Sequence, residues 1–248
     1  MALVCTSGTA GANYFPAIIE AQESGVPLLV FTADRPPEMR DCSSGQTIDQ
    51  QRLFGTHVNF YHELAVPEAS EAMLRYARQT VAHAVARTLQ PQPGPVHLNA
   101  PFRDPLPPLP DGTAERAASL RLGEAFFAQV RPPRKTEFAW AAVDLPELPV
   151  RGVIIAGLRQ GPGEAAYARA VGEIARKLGW PVLADALSPV RNRAREVGTM
   201  VTHYDAILRH DAAAQRLRPD AVLVLEALPT SKVLREWLRG LSGVSAAI

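Results

Sequence analysis

Cysteine is nearly absent. Among 248 residues there are two, Cys5 and Cys42, with no framework spacing between them. That excludes a disulfide scaffold, and both are expected as buried or half-buried thiols in a reducing cytosol. An excess of charge of one sign is lacking too. With 26 basic and 25 acidic residues the net charge is +1, so nothing electrostatic draws the chain to nucleic acid or to an acidic membrane surface. No apolar run approaches the ~20 residues of a membrane span, and no charged, apolar leader opens the chain. The six histidines, at positions 57, 62, 83, 97, 203 and 210, form no HExxH and pair with no cysteine. They do not read as a metal site. No GK[ST] occurs, so a P-loop is excluded.

What the chain does have is a regular alternation of apolar strands and helices. Apolar residues make up 47% of it, enough to fill the core of one large domain or two ordinary ones. Ala2 to Cys5 reads as a buried strand, and a helix is expected from about Thr9 to Ser24, with Gly25 as its stop. Pro27 to Phe31 is a strand unbroken by polar residues, as parallel strands covered on both faces tend to be. A shorter strand follows at Asn59 to Leu64. Ser70 can cap a long helix whose apolar face is Leu74, Ala77, Val81, Val85 and Leu89. Pro95 to Asn99 closes this half. Repeated βα units predict an α/β fold with a parallel, doubly wound sheet.

Residues 104 to 149 break the rhythm. Pro105, Pro107, Pro108 and Pro110 crowd together, and Pro132, Pro133, Pro146 and Pro149 recur further on. Proline removes a donor and restricts its predecessor, so this stretch is expected to wrap the surface as a linker. A second βα pattern then begins at Gly152 to Gly157, with a helix carrying Ala166, Ala170, Ile174 and Leu178. Strands follow at Pro181 to Asp185 and Ala221 to Leu225, and Ser231 caps a last helix. The organisation expected is two Rossmann-like domains, 1–104 and 150–248, joined by a linker at 105–149. Both ends stop inside strand-like runs, where a natural domain rarely ends, so the chain is expected to lack material on either side.

Three turns gather the polar chemistry. Thr6-Ser7-Gly8-Thr9-Ala10, Thr32-Ala33-Asp34-Arg35-Pro36-Pro37-Glu38 and Gly45-Gln46-Thr47-Ile48 each follow a strand, where open α/β sheets place their ligands. Gly8 lets the backbone bend and approach a ligand, and amides of the following helix add partial positive charge. Equally, Ser7 or Thr9 serves only as a helix cap. Arg35 is suited to a bidentate grip on a carboxylate, or else Asp34, Arg35 and Glu38 form a surface salt-bridge cluster. Gln46 can orient a water or a substrate carbonyl, or is simply solvated. Gly157-x-x-x-Gly161-Pro162-Gly163 fits no nucleotide fingerprint and reads as a helix-start turn.

Taken together, Thr6-Ser7-Gly8-Thr9-Ala10-x-Ala12-Asn13, Thr32-Ala33-Asp34-Arg35-Pro36-Pro37-Glu38-x-x-Asp41-Cys42 and Gln46-x-Ile48 resemble the 2-succinyl-5-enolpyruvyl-6-hydroxy-3-cyclohexene-1-carboxylate (SEPHCHC) synthase family. These are thiamine-diphosphate enzymes of menaquinone and phylloquinone biosynthesis. Pro95 to Phe102 resembles the end of the family's pyrimidine-binding domain. Gly179 to Asp185 and Thr230-Ser231-Lys232 resemble its central domain. The likeness spans the chain apart from the proline-rich linker, and the chain resembles an internal fragment.

The resemblance implies a transferase that decarboxylates 2-oxoglutarate and adds the succinyl-level carbanion to isochorismate, with thiamine diphosphate as electron sink. It implies Gly8 and Thr9 as the wall of the cofactor's aminopyrimidine pocket. Gln46 is implied as a catalytic residue touching the cofactor-bound intermediate. Arg35, Gln46 and Lys232 are implied as substrate-binding residues, with Val233 standing where some relatives carry arginine. Mg²⁺ or Mn²⁺ would be held by a further domain. A cytoplasmic homodimer or homotetramer is implied, with this piece inactive alone. An acetolactate synthase or 2-oxoacid decarboxylase would share the TSG turn but not the ADRPPE loop. A non-catalytic α/β binding module is the alternative outside enzymes.

Overall fold

The computed structural model describes residues 1–247 apart from 108, 111, 121, 129, 132–146 and 160–162. Part of the proline-rich stretch and the centre of the Gly157–Gly163 turn lie outside the described residues. The chain divides into two units, 1–137 and 138–248.

The first unit runs β1 (Ala2–Cys5), α1 (Thr9–Ala12), α2 (Phe15–Glu23), β2 (Leu28–Asp34), β3 (Phe60–Glu63), α3 (Glu71–Leu89), β4 (Pro95–Pro101) and α4 (Thr113–Ser119). Its sheet has the order β1-β2-β4-β3, and every pairing is parallel. Register places Val30 beside His97 and Thr32 beside Asn99, with Phe31 beside Leu98 between them. Successive residues of a strand face opposite sides. One face, with Leu28 and Val30, therefore packs on Ile18, Ala21 and Phe54. The other, with Val96 and Leu98, packs on Ala84 and, through Leu29 and Phe31, on Val81.

Four expectations for this unit need correction. In this chain β1 is exposed: among the described residues it pairs with β2 alone, and Val4 is 72% exposed. The single helix expected from Thr9 to Ser24 is broken after Ala12, because Pro16 has no N–H to give Ala12 and its ring crowds that carbonyl. Ser70 does cap α3, accepting from the Met73 amide at 3.3 Å. The buried side of α3 is Ala84 and Thr88 instead of Val85 and Leu89, which are 37% and 42% exposed. A ladder of four-residue steps drifts about 40° around the helix at each step, so Val85 and Leu89 rotate off the sheet. Cys42 is exposed instead of buried; Cys5 is half-buried.

The second unit runs β5 (Gly152–Ala156), α5 (Glu164–Leu178), β6 (Val182–Ala184), α6 (Ala194–Val197), β7 (Met200–Val201), α7 (Tyr204–Leu208), α8 (Asp211–Arg216), β8 (Ala221–Leu225), α9 (Lys232–Arg239) and β9 (Ser245–Ala247). Its sheet order is β7-β6-β5-β8-β9, again all parallel. One face packs on α5 through Ala168, Val171 and Ala175, and the other on Tyr204, Leu208 and Leu234. Ala166 and Ala170 of α5 are exposed. Both units are thus doubly wound α/β layers, as the alternating pattern predicts. Beyond β5 and β8, where strand order reverses, the described segments that follow the two strands approach each other closely. A Cβ on Gly157 would stand 1.5 Å from the Ala227 carbonyl oxygen, so only glycine fits there.

Ser231 caps α9, accepting from the Leu234 amide at 3.1 Å while donating to Asp205 Oδ1 at 2.6 Å. Those bonds, with Arg209, hold the Asp205 carboxyl below its usual range. Ser231→Ala is expected to lower stability by about 1 kcal/mol, read from tryptophan fluorescence in denaturant. An unchanged midpoint would show that the cap contributes nothing.

Candidate active site

The C-terminal ends of β1, β2, β3 and β4 lie side by side, and the chain from Asp41 to Asn59 crosses them. Phe54 anchors this crossing segment: it is fully buried, and its ring meets the His97 ring edge-on with centroids 4.8 Å apart.

Gly8 sits just past β1 with φ 80° and ψ −146°, a conformation closed to most side chains. A Cβ there would lie 3.1 Å from Gln46 Cγ and 3.2 Å from the Gln46 carbonyl oxygen. Gln46 wraps the bend. Its Nε2 donates to Thr6 Oγ1 and to the Ser7 carbonyl, each at 3.0 Å, while the Ser7 hydroxyl donates to the Gln46 carbonyl at 3.0 Å. Gln46 itself holds φ 57°. Neither Ser7 nor Thr9 acts as a side-chain cap of α1. Thr9 is exposed in the first position of that helix, which is a single turn and offers little dipole.

Arg35 lies just beyond β2, half-buried, and its guanidinium donates to the Gly45 carbonyl at 3.3 Å. It makes no ion pair among the described residues. The structure therefore brings Gly8, Gln46 and Arg35 together at one end of the sheet. The surface cluster expected of Asp34, Arg35 and Glu38 does not form. Glu38 pairs with Arg103 instead, across an exposed surface, and that hydrogen bond lowers its carboxyl's pKa.

Asp34 turns inward, its side chain 1% exposed. Its Oδ1 accepts the Arg35 amide at 2.7 Å; its Oδ2 accepts Arg40 at 3.1 Å and Asn99 Nδ2 at 2.8 Å. Arg40 also grips both oxygens of Glu63, at 3.1 and 3.0 Å. Burial alone would ease the proton off Arg40, but the Glu63 and Asp34 carboxylates outweigh it and raise its pKa. Arg40 is thereby committed to two carboxylates, whereas Arg35 is left available to an external one. Tyr61, beside them, has its phenol pKa raised by burial first and then by Glu63.

A second layer joins this carboxylate pair to the glycine bend. Gln50 is 1% exposed. Its Oε1 accepts the Gly8 amide at 2.7 Å, and its Nε2 donates to the Ala33 carbonyl at 2.9 Å and to Asn99 Oδ1 at 3.0 Å. Thr32 Oγ1 donates to Asn99 Oδ1 at 2.7 Å and lies 2.7 Å from His97 Nε2. Since Thr32 has one hydroxyl proton, His97 must donate from Nε2, leaving Nδ1 bare. That nitrogen is buried with no partner, and burial lowers the His97 pKa from 6.5 to about 4.

Sequence reasoning missed Arg40, Gln50, Glu63, His97 and Asn99. One signal was present: His97 and Asn99 are polar residues at alternate positions of an otherwise apolar strand, which places both on one buried face. The crossing segment also walls a polar cleft of about 310 Å³ lined by Arg40, Ser43, Ser44, Thr47 and Gln51, among others.

Lys232, in the second unit, occupies the first turn of α9. Its side chain is 88% exposed and its ammonium stands 3.7 Å from Glu236. Among the described residues no group of three or more His, Cys, Asp or Glu side chains can hold a metal ion. No helix among them is long and apolar enough to cross a membrane.

Residues 136–245 match the family model described as the middle domain of thiamine pyrophosphate. The chain is 50% identical over 241 residues to the SEPHCHC synthases of Nostoc sp. (strain PCC 7120) and of Trichormus variabilis. It is 47% identical over 248 residues to that of Acaryochloris marina. The first two matches cover 96% of this chain and 41% of the relative, and the third 95% and 41%. The likeness thus runs through the proline-rich stretch as well, contrary to the expectation that it would stop there. The chain spans about two-fifths of the length of these curated relatives. A solved structure from Mycobacterium smegmatis, assigned as a thiamin diphosphate-dependent enzyme, shares the fold. It matches with TM-score 0.50 at 19% identity, over 90% of this chain and 39% of that one.

Proposed function

We propose that this chain is part of a thiamine-diphosphate-dependent SEPHCHC synthase, a transferase that moves the succinyl unit left after CO₂ departs from 2-oxoglutarate onto isochorismate. The observation that supports it is the convergence of Gly8, Gln46 and Arg35, in a chain half identical to synthases of that name. On this reading residues 1–104 are the later part of a pyrimidine-binding domain, 105–149 a linker, and 150–248 part of a central domain. The whole protein is a cytoplasmic homodimer or homotetramer of menaquinone or phylloquinone biosynthesis.

The residues present suit the cofactor's aminopyrimidine edge. Gly8, having no Cβ, lets Gln46 close over the bend, so the Gln46 amide is the polar group that the bend presents. Thr9 adds an exposed hydroxyl next to it. When bound, thiamine diphosphate supplies the nucleophilic carbon and the electron sink. No metal step is assigned to this chain, whose described residues offer no ligand cluster. Both substrates carry two carboxylates. Arg35 meets one of them bidentately, because its guanidinium gives only one bond to a carbonyl and none to a carboxylate. Gln46, whose Nε2 is held by Thr6 and Ser7, would offer its amide oxygen to the bound intermediate. Lys232, strongly exposed on the second unit, is a further candidate to bind a substrate carboxylate, as the family likeness implies.

The test uses a longer protein carrying this chain, supplied with thiamine diphosphate, Mg²⁺, 2-oxoglutarate and isochorismate. SEPHCHC formation is expected from it and none from the 248-residue chain alone. Arg35→Ala is expected to lower kcat/KM on the order of 100-fold, the worth of a charge-assisted pair, with cofactor affinity unchanged. A protein that ignores isochorismate and condenses two pyruvates would instead be an acetolactate synthase. One that binds no thiamine diphosphate would be a non-catalytic module.

A further inference from the structure

Gln50 lies outside every sequence motif considered above, yet it makes three hydrogen bonds to three different strand ends. A fully buried primary amide with its oxygen and both its protons engaged is held in one orientation. Its oxygen holds the peptide of Gly8. Its nitrogen holds Asn99, whose own nitrogen donates to Asp34, and Asp34 accepts the Arg35 amide. One side chain therefore links the bend that faces the cofactor to the residue that faces the substrate carboxylate.

We infer that Gln50 is a positioning residue that sets the Gly8 peptide through its oxygen and the Asp34–Arg35 peptide through its nitrogen, by two separable arms. The proposal rests on the functional reading above only for what is positioned; the hydrogen bonds stand without it. Gln50→Leu removes both arms. Gln50→Glu keeps an acceptor for the Gly8 amide and, as a carboxylate, loses the donor toward Ala33 and Asn99.

Two measurements decide it. In the 248-residue chain, the Gly8 amide is expected to exchange with solvent at least about tenfold faster in Gln50→Leu, the loss of roughly one hydrogen bond, and at the parental rate in Gln50→Glu. The Val30 and Leu98 amides stay slow in each. In the longer protein, the KM for 2-oxoglutarate is expected to rise about tenfold in both variants, while thiamine diphosphate affinity falls about tenfold only in Gln50→Leu. A purely structural role would move both constants together. If either variant fails to fold, seen as fast Val30 exchange, Gln50→Met, an uncharged side chain of similar length that removes both arms, carries the decision through Gly8 exchange: protection equal to the parent's overturns the inference. Equal Gly8 protection in parent and Gln50→Leu overturns the inference, and so does loss of cofactor affinity in Gln50→Glu. A parent protein that binds no thiamine diphosphate but shows the exchange pattern would sink the functional reading and leave the hold of Gln50 on Gly8 standing.

Discussion

Arg40→Met is expected to lower the unfolding free energy of the first unit by about 3–5 kcal/mol, because it leaves two carboxylates facing each other without their cation. The guanidinium is 17% exposed and bridges Asp34, 1% exposed, to Glu63, 25% exposed. Water is too scarce there to replace it. Against a typical total of ~5–15 kcal/mol, such a loss would populate unfolded chain near body temperature. The triple variant Arg40→Met, Asp34→Asn, Glu63→Gln is expected to recover most of the stability, since no charge is then stranded. All three tryptophans, at positions 140, 180 and 237, lie beyond residue 137. Tryptophan fluorescence therefore follows the second unit, whereas exchange of the Val30 and Leu98 amides, in the core of the first, reports the first unit's stability. A change of less than about 1 kcal/mol in the single variant would show that Arg40 behaves as an ordinary surface charge.

Acid is expected to weaken the same unit through His97. Unfolded, the imidazole takes up a proton near its ordinary value of 6.5; folded, it resists until about 4. Its depressed folded value means that stability is full above about 6.5 and falls as pH drops through that window, at about 1.4 kcal/mol per unit. The whole effect is somewhat over ~3 kcal/mol, of which about 2 kcal/mol is lost by pH 5, above the range where carboxylates ordinarily titrate. The cause is geometric. Nε2 must give its proton to Thr32, so a second proton would have to sit on a bare Nδ1 beside the Phe54 and Tyr61 rings. His97→Gln can keep a donor toward Thr32 and does not titrate. Unfolding measured from pH 7 to 5 should slope for the parent and run flat for the variant; equal slopes would clear His97 of the effect.

How much of this was legible depends on whether a feature is local. β2, β5 and β8 were readable because each carries an unbroken apolar run, and β4 because Val96 and Leu98 alternate with its two polar residues. The cap at Ser70 and the cap at Ser231 were readable because capping acts within one turn. The break in the first helix was written at Pro16, yet the apolar spacing on either side of it spoke for continuity. β1 has the letters of a core strand, and which strands pair with it is a matter of sheet order that no short window contains. The site divides in the same way. That Gly8, Arg35 and Gln46 follow strands was legible, and the family likeness named them. That Arg40 and not Arg35 neutralises Asp34 depends on where a loop returns. Gln50 sits in a segment without periodicity, so only its three buried hydrogen bonds reveal it.

β4 carries opposite duties on its two sides, with Val96 and Leu98 in oil and His97 and Asn99 in the polar lattice. Deleting a single letter between positions 95 and 98 would slide the strand by one step and trade the two sides at once. Amides and imidazole would meet α3, and valine and leucine would meet Asp34 and Gln50. No later point change could undo that. Inherited length variation in this region should therefore be confined to the stretches before Gly94 and after Pro101, whereas side chains within the strand can be exchanged one at a time.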